Sequence, residues 1–478
     1  MSTPLPRGWH GTTPAELAAA PGGSLGIGPF GSSLKVSDYR SSGVPLVFVR
    51  DIRRGHFGGP GTRFISPAKA IELAAHGVRP GDLLLTKMGD PPGDTAVYPA
   101  NRPLGIITAD AIKLTPDPAL TTAEFLAQLF RAPAVRGLIL GETRGVATQK
   151  LSLKRFRTIA LPLPPLAEQR RIVDRLGALD AVSRRARVAL DAVPPLLETF
   201  RKAVLASAFR GALTAAWRAD NPAVEPSERR SADPQRLFEL PAGWVWAPAQ
   251  VACGSVRDGT HATPAYIDEG VPLVTSKNLL ASGLDFADVK RISEADHRAI
   301  SLRSKVDPGD VLFAMIGTVG NPVVVGEHPP FSIKNVALFK GNARVLDPWL
   351  LCYWLRSPAL EAWLSPRLKG SSQRFAPLSL LRAIPVPIPP RGEQRALVDA
   401  VQQALAKVDR IGRLLRASAA ELGRLDRSIL ARAFCGKLVC RDPSDEPASD
   451  LLDRVRRERL VSVASAAAGG SDRRCSGR

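Results

Sequence analysis

An internal repeat limits most strongly what this 478-residue chain can fold into. Pro162-Leu-Pro-Pro-Leu-Ala-Glu-Gln-Arg170 returns as Pro387-Ile-Pro-Pro-Arg-Gly-Glu-Gln-Arg395, with Glu168 and Glu393 separated by 225 positions. Ala208-Phe-Arg-Gly211 and Ala433-Phe-Cys-Gly436 are separated by the same 225, so no net insertion lies between the two markers. Upstream, Leu5-Pro-Arg-Gly-Trp9 matches Leu240-Pro-Ala-Gly-Trp244, and Gly43-Val-Pro-Leu-Val47 matches Gly270-Val-Pro-Leu-Val274. Pro80-Gly-Asp-Leu-Leu-Leu85 matches Pro308-Gly-Asp-Val-Leu-Phe313, and Leu129-Phe-Arg-Ala-Pro133 matches Trp354-Leu-Arg-Ser-Pro358. Matched pairs in one order across most of each half mean two copies of one scaffold. Between the markers the halves differ freely, as two modules with one frame and different targets would.

After each Glu-Gln marker the pattern changes to helix. Steps of four and three give Ile172, Leu176, Leu179, Ser183, Ala186, Leu190, Val193, Leu197, Phe200, Val204 and Ala208. The second copy gives Leu397, Val401, Ala404, Val408, Ile411, Leu415, Ser418, Leu422, Leu425, Ile429 and Ala433. A 3.5-residue spacing keeps one seam facing a partner helix, and equal length and register favour the two helices packing on each other over two separate amphipathic helices. From Glu168 to Leu213 such a helix reaches at most roughly 70 Å at about 1.5 Å per residue. That is close to two turns of duplex DNA at about 34 Å each. Pro194-Pro195, opposite Ala419-Ala420, predicts a kink or break, because proline removes a helical hydrogen bond and clashes with the preceding turn.

The segments before each helix read as mixed α/β, with short aliphatic runs at Val44–Val49, Leu83–Thr86, Val271–Thr275 and Val323–Val325 bounded by Gly and Pro. Phe125–Arg131 and Trp349–Arg356 read as short helices. The expected fold class is therefore α/β (α+β), with a first mixed α/β module at 1–161, a long helix at 162–219 and a linker at 220–239. A second module at 240–386, a second long helix at 387–440 and a charged, partly disordered tail at 441–478 complete it.

Charge points to the partner. Lys and Arg number 65 against 45 Asp and Glu, a net charge of +20. Basic side chains that neutralise phosphates release condensed counterions, so a polyanion is the expected partner. The five cysteines form no C-x-x-C pair and the six histidines no ligand pair, which speaks against structural zinc; His261 has no companion at ligand spacing. Met1–Gly11 has no apolar run behind a basic start and no stretch of about 18 apolar residues occurs, so no signal peptide or membrane span is expected, and the cytoplasm is the expected compartment. No G-x-x-x-x-G-K-[ST] motif is present. Asp90-Pro-Pro-Gly93 and Asn321-Pro322-Val323 lack the aromatic that an amino-methyltransferase motif stacks on a flipped base.

Gly28-Pro-Phe-Gly-Ser-Ser-Leu-Lys35, Asp38-Tyr39 and Gly43-Val-Pro resemble the opening of a target recognition domain from type I restriction–modification specificity (S) subunits. Asp258-Gly-Thr-His-Ala-Thr-Pro264, Lys277-Asn278, Gly309-Asp310 and Gly317-Thr-Val-Gly320 resemble another version of it, and the Pro-Pro-x-x-Glu-Gln-Arg segments resemble its spacer regions. The resemblance runs over roughly residues 5 to 440. It implies two domains that each read half of a split DNA site, an antiparallel coiled coil that sets the gap, and no catalysis by this chain. It also implies two adenine-methylating modification subunits, and translocase/nuclease subunits where these are recruited. S-adenosylmethionine, ATP and Mg would then sit on those partners. Glu168, Gln169, Arg170, Glu393, Gln394 and Arg395 are the residues expected to meet them.

Base readout needs bidentate donors and acceptors on loops held by a rigid frame. The candidates are Ser32, Ser33, Lys35, Arg50, Arg53, Arg54, Lys87, Gln149 and Lys150 in the first module. In the second they are Thr260, His261, Lys277, Asn278, Lys334, Asn335, Ser371, Ser372, Gln373 and Arg374. Arg50/Lys277 and Gln149/Gln373 occupy similar places in the two copies. Gly28, Gly31, Gly259, Gly317 and Gly320 are expected to shape turns. The competing readings are a coiled-coil scaffold for protein partners, its basic charge incidental, and an enzyme whose active site the motifs do not reveal.

Overall fold

The structure is a computed structural model that describes residues 4–19, 24–29, 31–53, 55–58, 61–89, 91–143, 149–222 and 236–471. Arg54 and Asp90 lie outside the described residues, as does much of the expected linker; the side chains of Ser32 and Arg53 are likewise not described. The chain divides into two compact units, one of residues 1–189 and 417–478, the other of residues 190–416. Each holds one mixed α/β module and part of each long helix.

In the first module β1 (Leu25–Ile27), β2 (Val44–Val47), β3 (Leu83–Thr86), β4 (Thr95–Val97), β5 (Gly105–Ile107) and β6 (Ala111–Leu114) form the frame. One sheet has the order β4-β3-β6-β1; in a second, β2 pairs in parallel with β5. β3 and β6 are buried along their whole length, as aliphatic runs covered on both faces must be. The first long helix, α1, spans Leu166–Phe209.

The second module repeats this plan with β7 (Val256–Asp258), β8 (Val271–Val274), β9 (Val311–Ala314), β10 (Gly320–Val324), β11 (Ser332–Ile333) and β12 (Val336–Phe339). Its main sheet runs β7-β12-β9-β10, and β8 pairs in parallel with β11. The matched Pro-Gly-Asp motifs do one job in both copies. Gly81 and Gly309 take φ of +87° and +85°, and the buried carboxylates of Asp82 and Asp310 accept the N–H of Arg79 (2.9 Å) and Asp307 (2.8 Å). That closes a turn into the buried strand that only glycine enters without strain. The second long helix, α2, spans Arg391–Ala433, and α3 spans Ala448–Ser471.

The helix halves run antiparallel in each unit. Ser183 donates to Asp426 (2.7 Å) and Arg187 pairs with the same carboxylate in one, while Arg201 pairs with Asp409 in the other. Ile172, Leu176, Ala208, Leu397, Val401 and Val408 are buried as the seam requires, but Phe200, Ile411 and Leu425 are 52%, 43% and 51% exposed. Of the kink or break expected at Pro194-Pro195, the break does not occur; α1 is continuous through both prolines. They and Asp191 are exposed, which leaves the carbonyls deprived of a helical donor open to water.

The tail also departs from expectation. Within the segment expected as a charged, partly disordered tail, the helix α3 runs from Ala448 to Ser471. Leu451, Leu452 and Val455 join the core of the first unit with Trp9, Phe125 and Ile172. Arg459 donates to Asp117 (2.6 Å), and Ala448 N–H to Gly8 C=O (2.9 Å).

Candidate DNA-reading edges

Topology brings the candidates together. β1, β2 and β3 all end where β6 begins: Ile27 lies opposite Ile112, Thr86 opposite Ala111, and Val47 opposite Ile107 on the strand leading there. Residues 28–29, 31–35, 48–53, 87–89 and 108–110 therefore share one edge. Gln149 and Lys150 add to it by pairing with Gly89 and Met88. In the second module Asp258 lies opposite Ala337, Ala314 opposite Val336, and Val274 opposite Ile333. Residues 259–264, 275–278, 315–319 and 334–335 form the matching edge, joined by a hairpin in which Lys369 and Phe375 pair and Phe375 bridges to Ile316.

The glycines explain how the loops lie so close. A Cβ on Gly28 would come within 2.2 Å of the Thr108 carbonyl carbon, and one on Gly259 within 2.1 Å of the Ile333 oxygen. Both glycines press the loop after the first strand onto the parallel partner of β2 or β8. Gly28→Ala is expected to cost on the order of 1–3 kcal/mol. Gly26→Ala, two residues away with nothing within 4 Å, is the control expected to leave the melting temperature nearly unchanged.

Arg50 and Lys277 stand at one structural position, the exposed middle of a single 3-10 turn: Val49–Asp51 in one copy, Ser276–Asn278 in the other. The buried third residue caps each turn. Asp51 accepts Phe48 N–H (2.8 Å), and Asn278 Oδ1 accepts Thr275 N–H (2.9 Å). Asn278 Nδ2 donates to Asp285 C=O (3.0 Å), so this amide, expected at the DNA, is taken up inside the turn. Arg50 lies over the Phe48 ring at 4.4 Å and donates to Gly61 C=O at 3.1 Å, while Lys277 is exposed. Gln149 and Gln373 are one step out of register: Leu151 N–H and Ala376 N–H bond to Lys87 and Met315, which makes Arg374 the counterpart of Gln149.

Ser33, Lys35, Gln149, Lys150, Ser371, Ser372 and Gln373 are exposed. Lys87 Nζ reaches Ala109 C=O (3.3 Å), and the Arg374 guanidinium is held on Ser365 C=O (2.6 Å). Lys334 Nζ bonds to Thr263 Oγ1, and Thr260 bridges to Lys334. Sequence reasoning missed Asp258, which is 4% exposed and paired with Arg303 and His261. Its strand position, alternating with exposed Arg257, was the available signal.

The Glu-Gln markers point inward. Glu168 accepts Trp9 Nε1–H (3.0 Å); Gln169 accepts Thr121 Oγ1–H (2.8 Å) and donates to Leu120 and Pro164 C=O (2.9 and 3.0 Å). Glu393 holds Trp244 Nε1–H (2.8 Å), Thr214 Oγ1–H (2.6 Å) and Arg218; Gln394 bonds to Asp347, Val345 and Pro389. These four, expected to meet partners, are buried and bonded within the chain because each anchors a long helix to its module. Arg170 and Arg395 are the exposed members. Among the described residues no group of three His, Cys, Asp or Glu could hold a metal ion, and no helix is long and apolar enough to cross a membrane.

Two copies of one frame each present cations and amides from loops at a single strand edge. Residues 93–187 match the model of the type I restriction modification DNA specificity domain. The chain is 27% identical to the EcoBI specificity subunit of Escherichia coli over 90% of both chains. It is 26% identical to the EcoKI specificity subunit of Escherichia coli K12, covering 71% of this chain and 72% of that one. Its fold is similar to a chain solved in work on assembly and conformational transition of the type I R-M system (TM-score 0.66, 21% identity, 91% of this chain and 100% of that one). It is also similar to the HsdS subunit of Thermoanaerobacter tengcongensis (TM-score 0.54, 22% identity, 91% and 99%). The chain is thus similar to type I specificity subunits, and to the EcoBI subunit along 90% of its length.

Proposed function

We propose that this chain is the non-catalytic sequence-reading subunit of a type I restriction–modification complex, each module reading one half of a bipartite double-stranded DNA site. The observation that carries the reading is the pair of equivalent loop edges, alike in frame and in the Arg50/Lys277 position but different in almost every other exposed polar residue. A shared position suits the phosphate backbone, which is the same in every sequence; the differing ones suit bases. The two long helices set the gap between half-sites and dock two adenine-methyltransferase subunits, with restriction/translocase subunits as further partners. S-adenosylmethionine, ATP and Mg belong to those subunits.

Binding of the chain, purified with its methyltransferase partner, to DNA over a salt series tests this. The log of the affinity is expected to fall linearly with log salt, by about 0.9 per phosphate neutralised, and Lys277→Ala to reduce the slope by roughly one unit. A scaffold of protein partners predicts no preference among DNA sequences and no change of slope.

A further inference from the structure

The second edge carries a chain of side chains that the first lacks. Arg303 pairs with the buried Asp258 carboxylate, whose other oxygen accepts His261 Nε2–H at 2.9 Å. The opposite ring nitrogen, Nδ1, lies 2.8 Å from Asn335 Oδ1. Asn335 N–H donates to Thr260 C=O at 3.2 Å, so both the backbone and one end of the amide are held. Its Nδ2 has no intramolecular partner among the described residues. Asn335 also takes φ of 54°; it and Asn321 are the two non-glycine residues with positive φ among those described. Left-handed backbone at a non-glycine persists where the surroundings impose it, and such positions cluster at functional sites.

We propose that Asn335 reads an adenine in the second half-site through its side-chain amide, with His261 and Asp258 as positioning residues; this rests on the DNA-reading function proposed above. In the major groove adenine offers N7 as acceptor and N6–H as donor, and asparagine is the short side chain that meets both at once. Oδ1, 2.8 Å from His261 Nδ1, keeps a lone pair for N6–H, and Nδ2 is available to N7. The ring fixes which way the amide faces, and Asp258, itself fixed by Arg303, fixes the ring.

The first module shows why this is a reader rather than part of the frame. Ile27 occupies the place of Asp258, opposite Ile112 where Asp258 stands opposite Ala337. Asp110 precedes β6 where Asn335 precedes β12, and a carboxylate cannot donate to N7. A device present in one module and absent from its twin is what half-site-specific readout requires.

The test maps methylated adenines by long-read sequencing in cells carrying the full chain and its methyltransferase partner. Asn335→Gly is the informative variant, because glycine adopts positive φ without strain and the loop is kept while the amide is lost. It is expected to leave the melting temperature, the first half-site and the gap unchanged. Discrimination at one A·T position of the second half should fall by about one to two orders of magnitude. His261→Ala should relax the same position to a smaller degree, whereas Lys277→Ala should lower methylation at all sites without altering the motif. An unchanged motif in Asn335→Gly overturns the proposal, as does relaxation at a G·C pair or in the first half. Loss of methylation at every site with unchanged melting also overturns it. A wild-type complex that marks no bipartite motif would instead overturn the function on which it rests.

Discussion

Glu393→Ala is expected to destabilise the second unit by about 3–5 kcal/mol, the cost of breaking a buried ion pair and leaving one partner behind. The carboxylate is fully buried and holds the Trp244 indole, the Thr214 hydroxyl and the Arg218 guanidinium. Three donors from two segments meet on it, so its loss frees the start of α2 from Thr214 and Arg218 and from Trp244 at once. Denaturant unfolding of the variant measures the effect, and a cost near zero would mean these donors find water instead.

Glu168, its twin, behaves oppositely. Burial holds its carboxyl above the ordinary range, against the Trp9 hydrogen bond and the Arg171 and Arg441 charges, with Asp445 adding to the rise. One of its oxygens is buried without a hydrogen bond. A carboxyl raised in the fold binds its proton more tightly there than in the unfolded chain, so its ionisation withdraws stability as pH climbs through that range. Glu168→Gln should therefore match the parent near the acidic end of the carboxylate range and be at least as stable at pH 7. Calorimetry at the two pH values checks the sign.

Trp354→Ala is expected to have an effect of comparable size. The indole is fully buried, its N–H donates to Pro385 C=O at 2.8 Å, and its ring lies edge-on to Phe209 (5.0 Å) and Trp246 (5.6 Å). Removing it opens a cavity where α1, the helix Pro348–Leu355 and the strand Pro385–Ile388 meet. A cost of about 3–5 kcal/mol follows, or a fall of about 10 °C in the melting temperature of a unit of this size. Trp349→Ala on the same helix, at a side chain 44% exposed, should shift it far less.

The matched motifs made the frame readable, because each fills a position the fold cannot vary: the Pro-Gly-Asp turns, the strands Leu83–Thr86 and Val271–Val274, the long helices. The reading edges were readable for a related reason. Loops that follow successive strands of one sheet end up together, so residues far apart in sequence converge. What escaped was the direction of individual side chains. Glu168, Gln169, Glu393 and Gln394 look like surface polar residues until Trp9, Thr121, Trp244 and Asp347 arrive from more than 45 positions away. Asn278 reads as a DNA contact, yet the short turn it closes takes up its amide. Pro194-Pro195 reads as a break, but a long helix packed along one side tolerates lost bonds on its wet side.

The claim that two modules read two halves of one site is tested most directly by mapping methylated adenines in the source strain with and without this gene. The account predicts loss of one bipartite motif, two short defined halves around a fixed undefined gap, and no other change. If an adenine-methylating partner is active in both strains and every methylated motif survives the deletion, the chain does not direct methylation, and a scaffold role takes its place.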